Sequence, residues 1–285
     1  CTALLKNNSE NRHFFWEDIE FYRLTPKNFI KKVYSLTRIE KFDLLFIRDD
    51  FFLIFIGLLL KKRYKIPVLV HYTIPIKFIT DFEYKWYHPK NLGGTIKHLL
   101  TIALMRKVDL VLPTSEWMGK YLASNGVKQE RIHNYPNGAN LSLFKVTKYP
   151  SNEANPTYIY IGAISKIRKL DILVKAMKIV CERYKNAQLY MLGYGDDVDD
   201  LQKLTKNHGL VENIIFTGMV PYEEVPIYIE KSHICLCSIA PLYHYKLASP
   251  LKLFEYMSCS RPVIANKEIP AHIAPITESK CGLLV

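Results

Sequence analysis

Short apolar blocks alternate along the chain with longer stretches in which apolar positions recur every three to four residues. The blocks at 42–48 (FDLLFIR), 66–72 (IPVLVHY) and 108–113 (VDLVLP) lack polar alternation, which fits strands covered on both faces. Helical patterns follow them near 51–62, from about Thr95 to Lys107, and from an N-cap at Ser115 through Ala123. Strand–helix–strand succession predicts a parallel sheet with right-handed crossovers.

The pattern breaks over 145–156, KVTKYPSNEANP, which holds two prolines, two asparagines and no apolar period. This stretch reads as an interdomain linker. Beyond it the alternation restarts, with strands at 157–163, 187–193, 213–220, 233–239 and 262–266. Helices are expected at 170–184, 199–209, 222–232 and 249–259. The fold class expected is therefore α/β: two Rossmann-like, doubly wound parallel-sheet domains, 1–148 and 149–285, facing one cleft.

Composition narrows the classes. With 49% hydrophobic and 23% charged residues among 285, a disordered or fibrous chain is excluded. Six cysteines stand at 1, 181, 235, 237, 259 and 281 without a CxxC pair. Cys235 and Cys237 share one face of a strand, so a zinc site or disulfide framework is disfavoured and a reducing, cytoplasmic setting is the default. The longest uncharged apolar run, Phe51 to Leu60, is half the roughly 20 residues a bilayer span needs. The chain opens CTALL without methionine, so it is expected to begin inside a longer protein.

Charge divides the chain. Residues 1–150 carry 24 Lys and Arg against 13 Asp and Glu, whereas 151–285 carry 15 against 14. A basic half beside a neutral one implies different partners. Without a zinc finger or other nucleic-acid module signature, nucleic acid is the weaker reading. An anionic membrane surface is the expected partner, giving peripheral association at the inner face of a membrane. A solvated basic face explains the same charges equally well.

In open α/β sheets, ligands bind outside the carboxyl ends of the strands. Three post-strand loops of the second half carry suitable residues. The first runs from Gly162 to Arg168 and Lys169, two cations able to meet a diphosphate. The second holds Gly193 and Gly195, which suit either a close ligand or a turn. The third is Ser249, Pro250, Leu251 and Lys252, with Glu255 one turn on. Ser249 is a suitable N-cap and Pro250 suits the first helical position. The first-turn N–H groups and Lys252 make an anion site, and Glu255 can accept hydrogen bonds from ribose hydroxyls. A capped amphipathic helix with a surface Lys–Glu pair accounts for the same residues.

The order of these segments resembles the retaining, nucleotide-sugar-dependent glycosyltransferases of the family-4 (group 1) type, which have the two-Rossmann GT-B fold. The resemblance runs over roughly residues 40 to 285. It is carried by VDLVLPTSE (108–116), YPNGANLSLF (135–144), Tyr160-Ile-Gly162, Leu192-Gly193-Tyr-Gly195, Phe216-Thr-Gly218, and SPLKLFEYM (249–257) followed by RPVIA (261–265). It implies that Arg168 and Lys169, with the Ser249–Lys252 helix start, hold the donor diphosphate. It also implies that Glu255, the second glutamate of an E-x(7)-E pair, binds the ribose, and that Met219 and Val220 pack on the base. His71 falls where many members place a histidine near the sugar.

The sequence departs from the pattern at three places. Leu247 replaces the first glutamate of the pair, Asn140 stands where the family often has aspartate, and Ala163 where it often has arginine. The family's opening strand and glycine-rich loop are not legible before residue 40. The implied activity is metal-independent transfer of a hexose-type sugar, with retention, from a nucleoside-diphosphate sugar to a glycan or lipid-linked acceptor. No cofactor is expected beyond that donor substrate. A non-catalytic nucleotide- or sugar-binding subunit and a GT-B sugar-nucleotide epimerase are the alternatives.

Overall fold

In the computed structural model, the apolar blocks of the second half pair as one parallel sheet. The structure describes residues 2–6, 12–16, 19–24, 28, 31–33, 35, 42–73, 75, 89–145, 148–151 and 154–285. Strands β7 (Thr157–Ile161), β8 (Gln188–Leu192), β9 (Ile214–Gly218), β10 (Ile234–Cys237), β11 (Val263–Ala265) and β12 (Gly282–Leu284) lie in the order β12-β11-β10-β7-β8-β9. Counted within this half, that is the doubly wound order 3-2-1-4-5-6 read from β9. The direction reverses between β7 and β10, so the crevice for a ligand lies where those two strands end.

The first half contains the parallel trio β4 (Leu45–Arg48), β5 (Val68–Tyr72) and β6 (Leu110–Pro113). Helix α1 (Phe51–Tyr64) crosses from β4 to β5, and α2 (Pro89–Met105) leads into β6. The side chain of Asp50 caps α1 by accepting from the N–H groups of Phe52 and Leu53. Helix α3 (Glu116–Ser124) is capped by Ser115, as expected, through a bond from Met118 N to Ser115 Oγ. A separate mixed sheet of β1 (Thr2–Lys6), β2 (Arg12–Trp16) and β3 (Ile19–Leu24) occupies the region where the sequence showed no legible element.

Helices α4 (Asp171–Arg183), α5 (Val198–Asn207) and α6 (Val225–Glu230) connect the strands of the second half. The helix expected over 222–232 is divided: Tyr222–Glu224 form a 3-10 turn before α6, and Pro226 sits in the first turn of that helix. A short helix, α7 (Tyr243–Lys246), follows β10, and α8 (Leu251–Ser258) and α9 (Pro270–Ser279) flank β11. Helix α2 begins at Pro89, earlier than expected. Gly93 and Gly94 interrupt the apolar pattern but remain helical.

Two residues tie the halves together. Phe144, at the end of the 135–144 loop, is buried in the core of the second half. An Asx turn sets it there: Asn140 Oδ1 accepts from Ser142 N and Leu143 N, so asparagine supplies the oxygen an aspartate would. In the opposite direction, Leu247 is buried in the core of the first half, which includes Met118 and Leu122. Its carbonyl accepts from Ser115 Oγ at 2.6 Å.

Candidate functional site

Strand β7 brings Tyr158, Tyr160 and Gly162 to the same side of the backbone, because side chains alternate along a strand. Tyr160 is fully buried, and its hydroxyl donates to the carbonyl of Ala163 at 3.1 Å. Its ring faces Lys252, whose Nζ lies 4.0 Å from the centroid. That Nζ is withdrawn from solvent and has no hydrogen-bond partner among the described residues. Burial, helped by the neighbouring Arg168 guanidinium, pulls the Lys252 pKa down to about 8. Buried polar groups are nearly always hydrogen-bonded, so an unpartnered ammonium marks a place for an anion.

Arg168 ends the 3-10 turn Lys166–Arg168 that follows β7. Its guanidinium stacks on the ring of Tyr245 from α7, 4.7 Å from the centroid, and its buried Nε also lacks a partner. Lys169 diverges from it. That residue adopts a left-handed backbone conformation (φ 54°), caps the turn and is exposed. Of the two cations expected at the diphosphate, Arg168 is the one beside Lys252.

The start of α8 differs from expectation. Pro250 occupies the N-cap position instead of the first helical one, so no side chain caps the first turn. Ser249 turns away toward the first half. Its Oγ accepts from Asn137 N at 3.3 Å and its carbonyl accepts from Asn137 Nδ2 at 2.6 Å. Leu251 lies partly exposed at the rim. One turn on, Glu255 is buried, and its Oε1 accepts from the Tyr222 hydroxyl at 2.8 Å. Burial raises the Glu255 pKa, with Tyr222 and Lys252 opposing the shift. Lys252 and Glu255 are thus both interior groups, and the surface-pair reading does not hold.

The glycine turns serve backbone packing. Gly193 has φ +144°, and a Cβ there would stand 2.0 Å from the carbonyl oxygen of Gly162. Gly195 is pressed against Ile164 O in the same way, so both residues let the post-β8 loop lie against the post-β7 loop. A Cβ on Gly162 would come within 3.0 Å of Lys252 Nζ. After β9, Met219 is largely exposed, whereas Val220 packs partly against the core. The acidic run in the post-β8 loop and α5 meets Lys166: Asp196 accepts its backbone N–H, and Asp200 pairs with its Nζ at 2.8 Å.

His71 lies at the carboxyl end of β5, on the first-half side. It is buried, its ring meets Tyr135 edge-on at 5.8 Å, and its Nε2 has no partner among the described residues. Burial lowers its pKa, so the imidazole is neutral near pH 7. Tyr135 stands two residues before Asn137, so a short loop runs from the His71 wall to Ser249. The structure therefore gathers Gly162, Arg168, Lys252 and Glu255 at the β7–β10 switch point. His71 stands on the facing half, and Lys169 is directed to solvent.

Comparison with known proteins agrees with this architecture. A model described as Glycosyl transferases group 1 matches residues 144–285, and one described as Glycosyltransferase Family 4 matches residues 10–143. The chain belongs to the group 1 glycosyltransferases. It is 21% identical over 281 residues to the α-monoglucosyldiacylglycerol synthase of Streptococcus pneumoniae, covering 90% of this chain and 61% of that protein. Among solved structures it resembles sucrose-phosphate synthase from Thermosynechococcus elongatus, with TM-score 0.74 and 18% identity, covering 100% of this chain and 75% of that one. It also resembles the Anabaena protein HepE in complex with UDP-glucose, with TM-score 0.63 and 15% identity, covering 93% and 80%. The chain spans about three fifths of the length of the curated relatives it matches. In this group 1 glycosyltransferase the position of the missing glutamate is not a vacant site: Leu247 fills the seam between the halves.

The sequence reading missed Tyr160, Tyr222, Tyr245 and Asn137. For Tyr160 a signal existed, since it shares the inward face of β7 with Gly162. For Tyr222 and Tyr245 none did, because each reaches its partner across many residues of sequence; Asn137 stands in the YPNGANLSLF stretch, which named no partner for it.

Proposed function

We propose that this glycosyltransferase moves a hexose-type sugar from a nucleoside-diphosphate donor to a glycan or lipid-linked hydroxyl, retaining the anomeric configuration. The observation that carries the reading is the pair of buried cationic groups, Lys252 Nζ and Arg168 Nε, that lack hydrogen-bond partners at the switch point. A diphosphate would supply the acceptors they lack. Arg168 would engage phosphate oxygens through its fork, and Lys252 would act as a point charge. Glu255, one turn on along the same face of the helix, would accept ribose hydroxyls. The HepE likeness, in complex with UDP-glucose, supports a uridine donor.

In transfer, the bond from sugar C1 to the phosphate oxygen breaks and a bond from C1 to the acceptor oxygen forms. The acceptor proton passes to the departing diphosphate. Negative charge builds on that diphosphate, so cations held in place before reaction lower the barrier without reorganising. The proposal assigns this task to Arg168 and Lys252 and needs no metal. Neutral His71 faces the sugar from the other half.

The test is a product assay. The protein is incubated with UDP-glucose, GDP-mannose or ADP-glucose and with glycan and glycolipid acceptors. Released nucleoside diphosphate is measured, and the new linkage is read by NMR. An α-linked product, lost in Arg168→Ala, supports the proposal. An inverted linkage overturns retention, an epimerised donor indicates the epimerase, and donor binding without turnover indicates a non-catalytic subunit.

A further inference from the structure

Helices α1 and α2 pack side by side over the first-half sheet, and each is apolar outward as well as inward. On α1 the outward residues are Phe52, Phe55 and Leu59, each about half exposed. Their spacing of three and four residues places them on one face. On α2 the core side is His98, Thr101, Ile102 and Met105, all buried. The opposite side carries Leu92, Ile96, Leu99 and Leu100, all at least 49% exposed. An exposed apolar surface built from two neighbouring helices marks an interaction site rather than ordinary scatter.

Along the two helices themselves the charge has one sign, with Asp50 at the cap of α1 and Asp109 against Lys61 just outside them. No Asp or Glu occurs from Phe51 to Thr73 or from Pro89 to Lys107. The first stretch carries Lys61, Lys62, Arg63 and Lys65 and the second Lys90, Lys97, Arg106 and Lys107, with Lys61 paired to Asp109 at 2.7 Å. Lys62 and Lys97 are exposed beside the apolar stripes. Long basic side chains can lie along apolar surface with their heads in a polar layer. Among the described residues no helix is long and apolar enough to cross a membrane. A helix pair with an apolar outward stripe edged by lysines is suited to lying in the plane of an interface.

We propose that the outward face of α1 and α2 is a membrane-docking surface selective for anionic lipid. The apolar side chains enter the boundary between headgroups and acyl chains, and Lys62 and Lys97 meet the headgroup charge. Both helices start at the carboxyl ends of the strands, so Phe52 and Leu92 mark the end of the patch nearest the His71 wall. Docking therefore sets the rim of the cleft beside the bilayer. The proposal does not depend on which reaction the cleft performs.

The test is co-sedimentation of the 285-residue chain with vesicles of phosphatidylcholine alone or mixed with phosphatidylglycerol, at low and high salt. Two variants accompany it, Leu92→Ser/Ile96→Ser/Leu99→Ser and Lys62→Glu/Lys97→Glu. All five positions are exposed, and circular dichroism checks that each variant folds. The expected result is partitioning to the anionic vesicles at least about tenfold above neutral ones, weakened by salt. Each cation removed lowers it by about fivefold, and the apolar variant lowers it at both salt concentrations. Equal partitioning to both vesicle types, or binding unchanged in both variants, overturns the proposal. So does a wild-type dimer that ignores vesicles and that the apolar variant dissolves, since the face would then belong to a second copy.

Discussion

Lys252 Nζ stands 4.0 Å over the centroid of the Tyr160 ring, and among the described residues no hydrogen-bond acceptor reaches it. The ring faces of β7 and the first turn of α8 hold this ammonium away from water. The cost of burying it falls on the free protein and is recovered when an anion arrives. Stability should therefore depend on pH in a defined way. The folded pKa is about 8 against an ordinary lysine value of 10.5. Between those values the unfolded chain binds more protons, so Lys252 contributes a rise in stability as pH increases across the window, approaching about 3 kcal/mol. Urea unfolding at pH 7.5 and pH 10 checks this. The increment is the wild-type change minus that of Lys252→Met, which cancels the buried tyrosines titrating with the opposite sign.

Tyr222 donates to a buried carboxylate, so its loss leaves Glu255 without a side-chain donor. Tyr222→Phe should destabilise by about 1–3 kcal/mol at neutral pH. The Glu255 pKa, already raised by burial, moves further up. A carboxyl whose folded pKa is raised favours the folded state as pH falls, so the deficit of the variant narrows toward acid. Urea unfolding from pH 7 to pH 5 reads that narrowing, and a deficit constant across the range would refute it.

Gly193 is required by contact and by conformation. Its φ is +144°, and a Cβ would stand 2.0 Å from Gly162 O. Gly193→Ala should cost about 3 kcal/mol or more. Because the atom struck belongs to the loop beside Lys252, nucleotide affinity should fall with stability. The same substitution at Gly209, where nothing lies within 4 Å of the Cβ position, is the control for positive φ alone.

Leu247 belongs to the first-half core, although it comes from the second half. Leu247→Ala should cost about 2–4 kcal/mol through the cavity it leaves. Leu247→Glu restores the residue type typical of the family, yet it should be worse, since it buries an unpaired carboxylate. Ser115→Ala removes both the cap of α3 and the bond to Leu247 O, at about 1–2 kcal/mol. Thermal unfolding ranks the three. A Leu247→Glu protein as stable as the wild type would show that the seam opens freely.

Much of the fold was legible because the apolar blocks that form β5, β7 and β10 lie inside their sheets, paired on both sides, and carry no competing pattern. The opening strands β1 to β3 were not legible, nor were α7, α9 and β12. Helix α7 has four residues, and α9 contains Pro275, a residue that ordinarily argues against a helix interior. At the site, Gly162, Arg168, Lys252 and Glu255 were found because each stands in or just beyond a loop after a strand. What the sequence could not give was orientation: that Arg168 turns inward while Lys169 does not, or that Ser249 serves Asn137 instead of its own helix. Tertiary partners decide those details. The lowered Lys252 pKa was equally hidden, since it arises from burial and from the approach of Arg168.

The site turns on Lys252 as an anion-binding cation whose burial is costly when no anion is bound. Calorimetric titration of UDP, GDP and ADP into the wild type and Lys252→Met, with thermal unfolding of both free proteins, tests it. The account predicts that one nucleotide binds the wild type, more weakly as pH rises above about 8. Lys252→Met should lose about 100-fold in affinity, in line with removing one partner of a buried charged contact, while unfolding at a higher temperature than the wild type. Unchanged nucleotide affinity in Lys252→Met, or a variant less stable than the wild type, would contradict it.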